Sequence, residues 1–284
     1  MLKAIGAVIA GALVSTYLTF CFLFSRGQWQ LVLHPTRTNA SQSQEILHFA
    51  PGPSAQPQLA GQWLPAGPDA RYRNLTILFL PSGDGDRTTS VATQTALHNL
   101  GLNLFVFDYR GYGQSVNMHP SQERMLEDSE SAWSYLTGFR NLSGATIIPY
   151  GIGVGTSLAT HLALAHTEIP AVILDSPYAD LSSVLWKDSS LRLLPTSLLF
   201  HETFPLADPL SQLQRPKLLI AAEKDPNPAS FSRAADPKIS VTLPTDSGPL
   251  FDRSVTRFLD QYLAQYLTQS LAVPSPAPSA TKPN

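Results

Sequence analysis

Six short apolar runs recur through the chain: Leu75–Leu80, Asn103–Phe107, Thr146–Tyr150, Ala171–Leu174, Lys217–Ala222 and Ile239–Leu243. Each is of strand length, and a nearly continuous apolar strand is one buried on both faces. The intervening stretches Ser90–Leu100, Ser121–Leu136 and Thr156–His166 carry helical patterning, and Leu250–Leu267 reads as a closing amphipathic helix. Strands alternating with helices predict an α/β fold, a mostly parallel sheet covered by helices on both faces. Two shorter strands, Glu45–Phe49 and Leu59–Leu64, are expected ahead of the regular pattern. With 284 residues the chain can bury one substantial core.

The N-terminus reads differently. Residues 4–24 hold no charge. As a helix they would span roughly 31 Å, close to the thickness of a bilayer's hydrocarbon. Phe22, Leu23 and Phe24 stand where a cleavage site requires small residues, so we read an uncleaved transmembrane anchor over 4–24. Residues 28–44 form a connector, 45–268 the α/β domain, and 269–284 a Pro/Ser-rich tail expected to be disordered. Lys3 favours the N-terminus inside, which predicts a single-pass protein with an extracytoplasmic body and the lipid bilayer as a partner. A net charge of -2 without a basic run argues against nucleic acid as a partner. Cys21, the single cysteine, excludes an intrachain disulfide and a Cys-based zinc site.

Three motifs then fall in order. Phe107-Asp108-Tyr109-Arg110-Gly111-Tyr112-Gly113-Gln114-Ser115 follows one strand, Tyr150-Gly151-Ile152-Gly153-Val154-Gly155 joins a strand to a helix, and Ala222-Glu223-Lys224-Asp225 ends a late strand. Together they resemble the α/β-hydrolase superfamily, in particular its membrane-anchored branch similar to serine aminopeptidase-like and esterase-like hydrolases. The resemblance runs over roughly Glu45 to Leu267.

The resemblance implies a Gly-x-Ser-x-Gly nucleophile elbow at 151–155, in which Gly153 occupies the serine position. It places the catalytic acid at Asp225 and the histidine near Gly248, and no histidine follows His201. The oxyanion loop corresponds to Pro81-Ser82-Gly83-Asp84-Gly85, with Gly83 and Val154 as its oxyanion positions. Two of the three triad groups are therefore absent, and losing even one costs orders of magnitude in rate. Glycine at the elbow also relieves the backbone strain that a serine there carries.

Other residues have plainer readings. Ser82, Thr156 and Ser157 are hydroxyls near the elbow, and His161 and His166 lie on the following helix. Asp108 and Arg110 are read as ordering a loop. The serine of Asp175-Ser176-Pro177-Tyr178 is read as structural. Asp84, Asp86 and Asp225 sit in Gly/Asp turns, so no metal and no cofactor is expected. The expectation is a membrane-anchored hydrolase-fold protein whose serine chemistry is lost or impaired. Its pocket would serve a small apolar ligand or a peptide. The alternative is an active hydrolase of ester, thioester or amide bonds with a non-standard site.

Overall fold

The computed structural model of the chain describes residues 1–37, 46–50, 56, 58–178, 199, 201–226, 228–244 and 248–268. Eight strands form one sheet in the order β1-β2-β4-β3-β5-β6-β7-β8. They are β1 (Leu47–Phe49), β2 (Leu59–Leu64), β3 (Thr76–Leu80), β4 (Asn103–Asp108), β5 (Ile147–Gly153), β6 (Val172–Pro177), β7 (Lys217–Ala222) and β8 (Lys238–Leu243). The first two run antiparallel and β3 to β8 pair in parallel. Helices are α1 (Leu2–Gly27), α2 (Val91–Asn99), α3 (Gln122–Ser134), α4 (Gly155–Ala165), α5 (Ala207–Gln212), α6 (Ala229–Ser232) and α7 (Gly248–Thr268).

Successive side chains of a strand point to opposite faces, and the two cores divide accordingly. Leu78, Leu80, Phe105, Phe107, Leu174 and Leu219 pack with α3 and α4. Their strand neighbours Ile77, Phe79, Leu104, Val106, Ile173 and Leu218 pack with Leu97 of α2 and Val255, Phe258 and Leu259 of α7. The sheet is thus covered on both faces, as the apolar runs require.

One strand runs past its expected end. The apolar signal stops at Tyr150, yet β5 continues to Gly153, pairing Gly151 with Leu80 and Leu174 and Gly153 with Pro177. Glycine carries no hydrophobic signal, and the backbone ladder holds these residues instead.

Helix α1 is long and apolar enough to cross a membrane, the one such helix among the described residues. Its large side chains, including Ile5, Val8, Leu13 and Leu18, are exposed. Of the connector expected over 28–44, residues 28–37 are described, and they pack rather than dangle. Val32 and Leu33 are buried, and the His34 amide donates to the Gly83 carbonyl at 2.8 Å. Residues 38–44, Glu45 and the expected tail 269–284 lie outside the described residues.

Lys217 opens β7 fully buried, with Nζ donating to the carbonyls of Ala235 at 2.8 Å and Pro237 at 3.3 Å. Burial first, and Lys238 second, lower its pKa to about 8. The unfolded chain, with lysine near ~10.4, then binds more protons than the fold between these values. Stability from this residue should rise as pH increases through that window. Lys217→Met should lose the rise, as read from urea midpoints at pH 7.5 and 10.

Candidate functional site

The carboxyl ends of parallel strands are where such sheets bind ligands, because the loops there diverge around an open crevice. The loops after β3, β5, β6 and β7 meet here around a cavity of about 620 Å³, lined among others by Ser82, Asp84, Gly153, Ser176, Tyr178 and Asp225.

At its floor, β5 turns into α4 through Gly151, Gly153 and Gly155. A Cβ on Gly151 would lie 2.2 Å from the Gly155 carbonyl oxygen, and one on Gly155 would lie 2.2 Å from that of Leu80. Both distances are prohibitive, so strand and helix approach this closely only without those side chains. Gly153 between them has φ 59°, the left-handed region that glycine enters without strain. A Cβ there would meet Ser82 Cβ at 3.1 Å, Ser82 Oγ at 3.2 Å and the Tyr178 ring at 3.2 Å.

The loop after β3 is tied down by polar contacts. Ser82 Oγ accepts from the Asp84 amide at 3.0 Å. One Asp84 oxygen faces His34 Nδ1 at 2.7 Å, and the other accepts from the Tyr178 hydroxyl. Burial, followed by the Asp84 carboxylate, raises the Tyr178 pKa far above its ordinary value. That phenol stays a hydrogen-bond donor. Gly83 and Val154 lie side by side, since a Cβ on Gly83 would sit 3.2 Å from Val154 Cγ2.

Asp225 lines the same cavity but is exposed, and its side chain makes no hydrogen bond or ion pair with another described residue. Gly248 begins α7, exposed, with no described residue within 4 Å of where its Cβ would stand, and it lines a neighbouring cavity. Thr245, Asp246 and Ser247 lie outside the described residues. None of the seven histidines is among the residues lining either cavity. His161 Nε2 is buried with no hydrogen-bond partner among the described residues, and burial lowers the pKa of its ring. His166 pairs with Glu130 at 2.7 Å.

The nearby hydroxyls have structural partners. Thr156 Oγ1 donates to the Gly153 carbonyl at 2.7 Å, and Ser157 Oγ donates to that of Pro205 at 2.7 Å. Asp108 accepts from the amides of Arg87 at 2.9 Å and Gln114 at 3.1 Å and pairs with the Arg87 guanidinium. Arg110 binds Asp128 and Glu127. These contacts order the loop after β4.

Sequence reasoning missed three residues. Tyr178 and His34 reach the site from distant segments, with no local signal. Ser176, expected to be structural, lines the cavity at φ 44°, strained for a non-glycine residue. Its Oγ donates to Asp175 at 2.8 Å, and Asp175 also accepts from Tyr150. Burial raises the Asp175 pKa. Among the described residues, no group of three or more His, Cys, Asp or Glu is placed to hold a metal.

This strand order and crevice define an α/β-hydrolase fold. In solved structures it matches the Pyrococcus furiosus esterase with TM-score 0.59 at 16% identity, covering 81% of this chain and 97% of that one. An α/β serine hydrolase homologue from Coxiella burnetii matches with TM-score 0.50 at 17% identity, over 82% and 99%. No protein-family model matches the chain. It is 31% identical over 174 residues to an uncharacterized protein of Mycobacterium tuberculosis, covering 59% of this chain and 60% of that protein. It is 27% identical over 204 residues to human alpha/beta hydrolase domain-containing protein 17B, covering 72% and 65%. The matched stretch thus spans less than two thirds of these relatives. The chain has the α/β-hydrolase fold.

The glycine turn yields an ordered series. Gly153→Ser should destabilise by about 1–2 kcal/mol, from positive φ and the tight contact with Ser82. Gly151→Ala and Gly155→Ala should cost more, because their Cβ atoms meet backbone. Denaturant midpoints of the three variants check the order.

Proposed function

We propose that this is a membrane-anchored α/β-hydrolase-fold protein that has given up serine acyl transfer and keeps its cavity for binding. What carries the reading is the surroundings of Gly153. The elbow position has no side chain, and Ser82 and Tyr178 crowd the space one would need. A serine nucleophile requires a base within hydrogen-bond reach, yet no imidazole lines the cavity. Asp225 stands at the acid position without a histidine to orient. The purified protein should take no label from a fluorophosphonate probe and release no nitrophenol from short-chain p-nitrophenyl esters. Labelling that survives boiling would refute the loss of serine chemistry.

A second reading, an active hydrolase of ester, thioester or amide bonds, rests on Ser176. Its strained backbone and its hydrogen bond to a carboxylate of raised pKa are features of a working nucleophile. If labelling occurs, Ser176→Ala and Ser82→Ala report which hydroxyl is responsible. A cavity of this size suits a small ligand better than a peptide.

The anchoring rests on α1, whose 26 residues would extend roughly 39 Å with apolar side chains outward. Its orientation, with the body outside, follows from Lys3. Full-length protein should stay in the membrane pellet through alkaline carbonate washing, while a chain lacking residues 1–24 should enter the supernatant. Release of the full-length chain by carbonate would rule out a spanning helix.

A further inference from the structure

The last turns of α1 are part of the fold. Cys21 is buried, and Phe24 packs against the core that holds α3 and α4. Gln28 is buried too. Its side-chain amide donates to the Ser25 carbonyl at 2.9 Å, and its side-chain oxygen accepts from the His201 amide at 2.7 Å. A spanning helix that joins the body this early brings the surrounding surface close to the bilayer. From Phe24 to Trp29 the chain rises roughly 7–8 Å in helical geometry. Each headgroup layer is roughly 5–8 Å thick. A span that ends at Phe24 therefore sets Trp29 among the headgroups, a depth that tryptophan favours.

A second segment meets the chain at that depth. The loop after β4 brings the His119 ring onto Trp29, with centroids 5.3 Å apart. It is pinned along the segment that follows α1. The Gly113 amide donates to the Thr36 carbonyl at 2.8 Å, and Arg37 Nη1 donates to that of Ser115 at 2.7 Å. The Val116 amide donates to the Gln58 carbonyl at 2.8 Å, and its carbonyl accepts from the Gly111 amide at 2.9 Å. Val116 and Met118 are nevertheless 40% and 38% exposed, and Asn117 and His119 are exposed with them. An isolated exposed apolar side chain needs no explanation. Two on one braced loop, beside the tryptophan that follows a spanning helix, stand where lipid takes up apolar side chains.

Charge agrees with these surroundings. The stretches 27–37 and 111–120 contain no acidic residue, and Arg26 and Arg37 are exposed around the first of them. The Asp84 carboxylate that reaches His34 is also engaged by Tyr178, and Glu202 is buried, accepting from the Gln122 amide at 2.5 Å. Glu123 on the first turn of α3 is offset by Arg124 beside it. A face with cations and few free carboxylates is attracted to the anionic lipids of a membrane surface.

We infer that the loop 114–119 is a second membrane contact. Val116 and Met118 enter the headgroup layer of the bilayer that α1 spans, with Arg37 at the lipid phosphates, so the body rests on the membrane. The inference rests on the spanning reading of α1 proposed above.

The test uses full-length Cys21→Ala protein in nanodiscs of phosphatidylcholine and phosphatidylglycerol. One new cysteine, Asn117→Cys or separately Phe139→Cys, carries a nitrobenzoxadiazole fluorophore. Phe139 is 76% exposed beyond the far end of α3, where the chain turns toward the start of β5. Nitroxide-labelled phosphatidylcholine should quench the label at 117 and leave the emission from 139 unchanged. Val116→Glu combined with Met118→Glu should restore the lost emission at an unchanged melting temperature, while Met118→Leu should keep the quenching. An unquenched label at 117 in nanodisc-bound protein, equal quenching at both positions, or indifference to the paired glutamates overturns the inference and leaves the spanning reading standing. Protein that does not stay in the nanodisc overturns both.

Discussion

The turn from β5 into α4 depends on three absent side chains, and the architecture of the crevice depends on that turn. Gly151 and Gly155 let strand, helix and the neighbouring strand's carbonyl come within distances that no Cβ tolerates. This contact sets how deeply α4 packs on the sheet and where the loops after β3 and β6 can meet. Leu158, Ala159 and Leu162 of α4 are buried in the core on that face. The same two glycines would serve a protein with serine between them, so the scaffold of the turn is independent of the residue that would do chemistry.

Gly153 itself sits differently. Its positive φ would strain any other residue, and the space beside it is shared by Ser82 and Tyr178. Strain at a nucleophile is tolerated in an enzyme because the exposed hydroxyl is useful. With no side chain to present, glycine holds the same turn at lower energy. The nearby polar groups are engaged with one another. Asp84 is shared between His34 and Tyr178, and Ser176 donates to a carboxylate already held by Tyr150. A network satisfied in this way rigidifies a cavity wall more readily than it supplies a mobile base.

The connection between α1 and the sheet borders the cavity. Val32 and Leu33 are buried in the same core as β3 and α4, and His34 reaches the cavity rim. The segment that follows α1 is thus packed against the sheet, with its backbone bonded to the loop after β3. A floppy linker would leave that geometry open.

The chain's own residues settled the α/β alternation, because continuous apolar runs of strand length are stable only when buried on both faces. They also settled that position 153 offers no hydroxyl and that no imidazole follows residue 201, since these are matters of composition. Strand ends were less legible. β5 runs three residues beyond its apolar signal, because backbone pairing, which no side chain advertises, holds glycine in a ladder. What surrounds Gly153 was decided by the tertiary structure alone. His34 and Asp84 lie 50 residues apart, and Tyr178 and Asp84 lie 94 apart. Contacts at such separations follow from how strands order themselves in the sheet, a property of the whole chain that no local window of sequence contains. The strain at Ser176 belongs to the same class, for a backbone angle in a loop is imposed by what the folded neighbours permit.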